Sequence, residues 1–211
     1  LGMSILSQLS SQVGDRTESS NRKVADHCLA DPALLAEISL GLNEDDPSLV
    51  GDSAEVFTKV AEVNPALVVP YADALSVLLV HKNTHVRWEA THAVALIASN
   101  TPATLSALIP ILVHILREDE SVIARDHAVD ALSNYAGTGA HAADCVYPYL
   151  LEALTLWNGK QAGHALNGLS QAAPLLPGRH AELLSIGTQY SHSDRPVVAK
   201  AAKGLLKTLE T

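Results

Sequence analysis

Cysteine is nearly absent: Cys28 and Cys145 are the only two in 211 residues, too few for a disulfide framework or a four-thiolate zinc site. Both fall in helical patterns, where a buried thiol acts as a small hydrophobe, and the expected compartment is the reducing cytoplasm. Aromatics are scarce too, 4% of a chain that is 47% hydrophobic, which leaves Ala, Leu, Val and Ile to build a core of closely packed helices. Positive charge is short. Lys and Arg total 14 against 23 Asp and Glu, a formal charge of −9, which opposes nucleic-acid binding because phosphates need clustered cations. No apolar run reaches the roughly 18 residues of a membrane span, and residues 1–13 lack the basic start and cleavage site of a secretory signal. Leu1 and Gly2 ahead of Met3 read as a cloning remnant, with the natural start expected at Met3. Also missing are the Gly-x-Ser-x-Gly elbow, a phosphate-cradling loop, His-Glu-x-x-His and Gly-x-Gly-x-x-Gly. The Gly159-Lys160 step carries neither the earlier glycine nor the hydroxyl of a phosphate loop.

What the chain has is period. Ala54, Ala90, Ala128, Ala165 and Ala201 recur at steps of 36, 38, 37 and 36 residues, each inside a helical apolar pattern, the signature of a repeat array. A unit that is helical twice per period cannot bury its apolar face alone, so neighbours must stack into a continuous core. The spacing predicts a right-handed all-α solenoid, an α-α superhelix of about five helical hairpins. Its partition is a cap and degenerate unit over 1–31 (a short capping helix, then a helix over 21–30), then repeats at 32–63, 64–100, 101–139, 140–178 and 179–211. In the clearest unit a first helix runs from Ala66 to His81. Thr84 is the expected N-cap of a second helix carrying Val86, Ala90, Ala93, Val94 and Ile97 as its core stripe. Acid is concentrated early: residues 1–63 hold 11 acids and 4 bases, whereas Lys200, Lys203 and Lys207 make the last helix cationic.

Proline stands at matching places in three first helices, as Pro70, Pro110 and Pro148; an interior proline costs roughly 3 kcal/mol and is expected to bend the helix. Second helices open on Val86-Arg87-Trp88-Glu89-Ala90 and Ala124-Arg125-Asp126-His127-Ala128, with acids in the preceding turns at Asp45 and Asp119. On these residues the chain resembles HEAT-repeat proteins over about 21–211. The resemblance implies that turn acid and arginine bond between repeats, at Asp45, Asp119, Arg87 and Arg125. Gly51 and Ala162 replace the arginine, so this ladder is expected to fail at the first and fourth repeats, leaving apolar contact to hold them. The scaffold carries adaptors, transport receptors, phosphatase subunits and a few enzymes, so fold alone does not assign function.

With each repeated alanine as origin, offsets −1, 2 and 6 share one lateral helix face at about 100° per residue. In the middle repeats that face collects Glu89, His92, His127, Asp130, Asn134, His164, Asn167 and Gln171. In HEAT solenoids the second helices usually line the concave side, which makes these eight residues the candidate partner-binding groove. Polar residues on a solvated helix face also arise by default, and two- or three-ligand coincidences such as His81 with His85, or His141, Asp144 and Cys145, are expected by chance among ten histidines. Trp88 and Trp157, flanking turns, fit packing better than binding. The expectation is a non-catalytic interaction scaffold for a protein or peptide, without cofactor or metal, binding neither nucleic acid nor membrane; oligomeric state is left open. The alternative is a metal-dependent enzyme using His, Glu and Asp of the second helices. Deoxyhypusine hydroxylase is similar in scaffold and holds two irons through His-Glu pairs before the repeated alanine, but the corresponding pairs here are Trp88-Glu89, Asp126-His127 and Gly163-His164.

Overall fold

The computed structural model describes residues 2–211, and among them there is no strand. No helix of the described residues is long and apolar enough to cross a membrane. The chain divides into two compact units, one reaching to Thr104 and the other running from Leu105 to Thr211.

In the first unit a 3-10 turn over Ile5–Gln8 and the single turn α1 (Ser10–Val13) precede α2 (Ser19–Ala30), α3 (Leu34–Gly41), α4 (Pro47–Val63), α5 (Ala72–Ser76) and α6 (Thr84–Ile97). Helix α4 packs on α2 at one side and on α6 at the other, with α3 and α5 against them. Asp46 caps α4 by accepting from the Ser48 N–H at 2.9 Å, with Pro47 at the first helical position where its missing N–H costs nothing. The cap of α6 is Asn83, whose side-chain oxygen accepts from Val86 N at 3.2 Å. Thr84, expected there from the sequence, is the first helical residue instead. The helix expected from Ala66 to His81 is broken: 3-10 turns at Pro65–Leu67 and Val69–Tyr71 lead into α5, and another covers Val77–Val80. Two prolines five residues apart, Pro65 and Pro70, remove successive donors from the ladder. The capping helix expected near the N-terminus is likewise split at Leu9, which is extended (φ −66°, ψ 153°).

The second unit contains most of α7 (Pro102–Glu118), then α8 (Val122–Ala136), α9 (Ala140–Ala153), the turn α10 (Leu156–Gly159), α11 (Ala162–Ala172), α12 (His180–Tyr190) and α13 (Pro196–Leu209). Helices α8, α11 and α13 pack in succession, with α9 on α8 and α11 and with α12 on α13. Pro110 and Pro148 lie inside continuous helices. The repeated alanines face the core in both units: Ala54, Ala90, Ala128 and Ala165 are fully buried and Ala201 is 8% exposed.

Polar stitching in the second unit differs from expectation. Arg125 is buried and donates to the Asp119 carbonyl at 2.5 Å and, across to the next hairpin, to Gln161 Oε1 at 3.3 Å. Gln161, itself buried, returns a hydrogen bond to Asp126 at 3.0 Å. The absence of an arginine at Ala162 therefore does not leave apolar contact alone: the preceding glutamine supplies the link. Trp157, Asn158 and Gly159 all take left-handed φ (53°, 56° and 71°), a strained reversal for two non-glycine residues. Packing holds it in place. The Trp157 ring lies 3.9 Å from the Arg125 guanidinium carbon and its indole N–H donates to the Leu116 carbonyl at 2.9 Å. Arg195 repeats the arginine's work before α13, donating to the Gly159 carbonyl at 2.6 Å.

Candidate functional site

The lateral face expected from offsets −1, 2 and 6 is found in the second unit but slips by one residue in α4. Ser53, Val56 and Val60, which those offsets place on the surface, are fully buried. The cause is Ser53. Its side chain fills the space left by Gly41, where an added Cβ would strike the Ser53 hydroxyl, and that hydroxyl returns to the Leu49 carbonyl at 2.8 Å. Ser53 thus takes the small-residue position that the alanine count gave to Ala54. With Ser53 as origin the same offsets select Asp52, Glu55 and Lys59, residues missed in the sequence; Gly41 together with a serine one place before the repeated alanine is the signal that could have found them.

These three residues line a cavity of about 590 Å3 in the first unit, with the α1–α2 loop, α2, Trp88, Glu89 and both His85 and His92. A connected network fills its walls. Buried Asn21 donates to Asp52 at 2.9 Å and to Glu55 at 2.6 Å. Asp52 also accepts from Ser11 N at 2.7 Å. Lys59 bridges Glu18 at 2.6 Å and Glu55 at 3.2 Å. Burial works against the Lys59 charge, but these two carboxylates outweigh it and raise its pKa. Its hydrogen bond with Lys59, followed by one with Glu55, brings Glu18 down to about 2. Glu89 behaves in the opposite way. It is 4% exposed, and burial first, with the Glu55 charge second, pushes its carboxyl up to about 8, so it is mostly protonated at neutral pH. Thr58 Oγ1 lies 3.2 Å from Glu89 Oε2. Gly51, where the motif's arginine would stand, makes room for a neighbour: a Cβ there would come within 2.7 Å of the His85 ring, which packs edge-on to Trp88 with centroids 4.8 Å apart.

In the second unit the face is half exposed. His164 Nδ1 pairs with Asp130 Oδ1 at 2.7 Å, its Nε2 stands 3.8 Å from Asp126, and His127 Nδ1 is 3.7 Å from the other Asp130 oxygen. The Asp130 hydrogen bond raises the His164 pKa, with burial opposing and the charges of Asp130 and Asp126 adding. Burial would raise Asp130, but hydrogen bonds and charge from His127 and His164 bring it down to about 2. Gln171 donates to Asn134 at 3.0 Å, and Asn167 is exposed. Five of the six expected side chains here are tied to one another in register, and Asn167 stands apart.

Among the described residues no group of three or more His, Cys, Asp or Glu could hold a metal ion. His81 is occupied in its own turn, its Nδ1 accepting from Asn83 N at 3.0 Å. His141 Nε2 lies 3.5 Å from Cys145 Sγ on the exposed side of α9.

No protein-family model matches the sequence, and no curated protein matches it. Solved structures do. A designed armadillo repeat protein in complex with the peptide (KR)4 is similar at TM-score 0.71 and 19% identity, over 97% of this chain and 98% of that one. A computationally designed armadillo repeat protein for modular peptide recognition is similar at TM-score 0.71 and 18% identity, over 97% and 98%. An engineered protein from a structural-genomics programme is similar at TM-score 0.70 and 18% identity, over 99% and 97%. The chain has an all-α, HEAT-like helical-repeat fold.

Proposed function

We propose that the chain is a non-catalytic interaction scaffold that binds a protein or peptide along the polar faces of its second helices. The contacting residues are Glu89 and His92 in the first unit and His127, Asp130, Asn134, His164, Asn167 and Gln171 in the second. The observation that carries this reading is the ordered, half-exposed row of donors and acceptors on α8 and α11, where His164–Asp130 and Gln171–Asn134 fix side-chain positions before any partner arrives. Pre-ordered polar groups bind with less conformational cost than free ones. The fold is shared with designed proteins made to recognise peptides. The excess of acid favours partners of basic or mixed charge.

Fluorescence anisotropy of labelled basic, mixed and acidic peptides tests the reading, with the native chain beside the triple variant His164→Ala, Asn167→Ala, Gln171→Ala. Basic or mixed peptides bind the native chain, and the variant loses tenfold or more at an unchanged melting temperature. Full binding by the folded variant would remove these residues from the interface; no binding by any peptide would remove the peptide-scaffold reading.

A further inference from the structure

The cavity of the first unit is more than an acidic patch, because its carboxylates are unequally committed. Glu18 and Glu55 already share Lys59, a cation whose side chain is only 10% exposed. Asp52 is held by Ser11 N and Asn21, and Asp15 by the backbone and hydroxyl groups of Thr17 and Ser20. Glu89 is left over. It is more than nine-tenths buried yet lines the cavity, and its Oε1 makes no hydrogen bond among the described residues, with His85 Nε2 standing 3.8 Å away, beyond hydrogen-bond length. That oxygen is the part of the side chain left for a donor entering the cavity. Beside it, the half-buried Trp88 lines the same space, and an indole face attracts cations.

We propose that this cavity receives the cationic head of one Lys or Arg side chain from a peptide partner, with the head meeting Glu89 Oε1 and its stem lying along Trp88. The proposal rests on the scaffold reading and names what the partner must carry. Size favours a side chain over a bare ion: about 590 Å3 falls within the range of organic-ligand sites, and the described residues supply no three-ligand metal set. Charge favours a cation, since five carboxyl groups besides the mostly protonated Glu89 line the space against Arg16 and the already paired Lys59. The aromatic wall favours guanidinium or ammonium over a hydrated divalent ion, whose ligands are oxygens.

The test uses the whole chain and a fluorescein-labelled peptide of alternating Lys and Arg, read by anisotropy, with a second peptide in which citrulline and norleucine replace Arg and Lys one position at a time. The expected result is a tenfold or greater loss at one position of the peptide on native protein, and a matching loss for Glu89→Gln and for Trp88→Leu with the unmodified peptide. Gln keeps the neutral shape that Glu89 has when unliganded, and the peptide series needs no variant to fold. If the peptide binds but single citrulline or norleucine replacements and Glu89→Gln all leave affinity unchanged, the cavity assignment is overturned while the scaffold reading stands. If no peptide binds, both fall. Spermidine and calcium are titrated separately as competitors. Competition by either as tightly as by the peptide would overturn the side-chain assignment in favour of a free cation.

Discussion

The two units carry the same polar face on their second helices and keep it in opposite electrostatic states. On α4 and α6 the face is sunk into a cavity, where burial holds Glu89 protonated and Lys59 is enclosed by two carboxylates. On α8 and α11 it is half exposed, and the His164–Asp130 hydrogen bond raises the His164 pKa and lowers that of Asp130. One repeat position thus gives a neutral buried acid in the first unit and a hydrogen-bonded His164–Asp130 pair in the second. Desolvation decides the first, and direct hydrogen bonding overrides desolvation in the second.

The largest way to break the contrast is through the arginines that open α6 and α8. Arg125 is fully buried, bonded to Asp119 and Gln161 and stacked on Trp157. Its replacement by Ala opens a void and strands buried acceptors, so a loss of about 3 kcal/mol is expected in urea unfolding. Arg87, half-buried where Arg125 is fully buried, donates among other contacts to the His81 carbonyl at 3.0 Å and the Lys82 carbonyl at 3.1 Å. Arg87→Ala should cost roughly 1 kcal/mol. Equal losses at the two sites would show that the motif, and not its burial, sets the contribution.

A smaller test compares two glycines. A Cβ at Gly168 would meet Leu150 Cδ2 at 3.0 Å and Ser133 Cβ at 2.9 Å, both in the packed core, so Gly168→Ala should destabilise by about 1–2 kcal/mol despite its better helix propensity. The nearest atoms to a Cβ at Gly51 belong to the His85 ring, a side chain 43% exposed. Gly51→Ala is therefore expected to be near neutral in thermal unfolding. A large loss there would mean that the His85–Trp88 contact is fixed.

The alanine period was enough to read the fold and to place the second unit's face, because Ala128 and Ala165 are both fully buried and so true origins. It failed in α4 because a buried serine does an alanine's work against Gly41, moving the face by one residue and hiding Asp52, Glu55 and Lys59. The buried fate of Glu89 was equally out of reach: it lies against α4, where Thr58, 31 residues away in sequence, bonds its carboxyl. The broken first helix was legible in principle, since Pro65 and Pro70 were both in view. Gln161 standing in for a missing arginine was not, because only the folded geometry shows that a side chain one position earlier reaches the same partners.

The sharpest comparison of the two faces is their response to pH. Glu89 has a folded pKa raised to about 8 from 4.5, so between those values the folded state binds more protons than the unfolded one, and stability falls as pH rises from 4.5 to 8. Asp130 is lowered from 3.8 to about 2. Its contribution is present above 3.8 and lost as pH falls towards 2. His164 is raised above 6.5, so its contribution is complete below 6.5 and lost as pH climbs through the folded value. The ranges separate the faces. Chemical denaturation from pH 5 to 6.5 should slope downward in the native chain and flatten in Glu89→Gln, whose gain over the native chain grows with pH. His164→Gln should leave that slope unchanged and alter stability by only about 0.5 kcal/mol, because the pair is over a third exposed and solvent screens it. A slope between pH 5 and 6.5 that survives Glu89→Gln but disappears in His164→Gln would reverse the assignment, placing the desolvated, titrating face on α8 and α11.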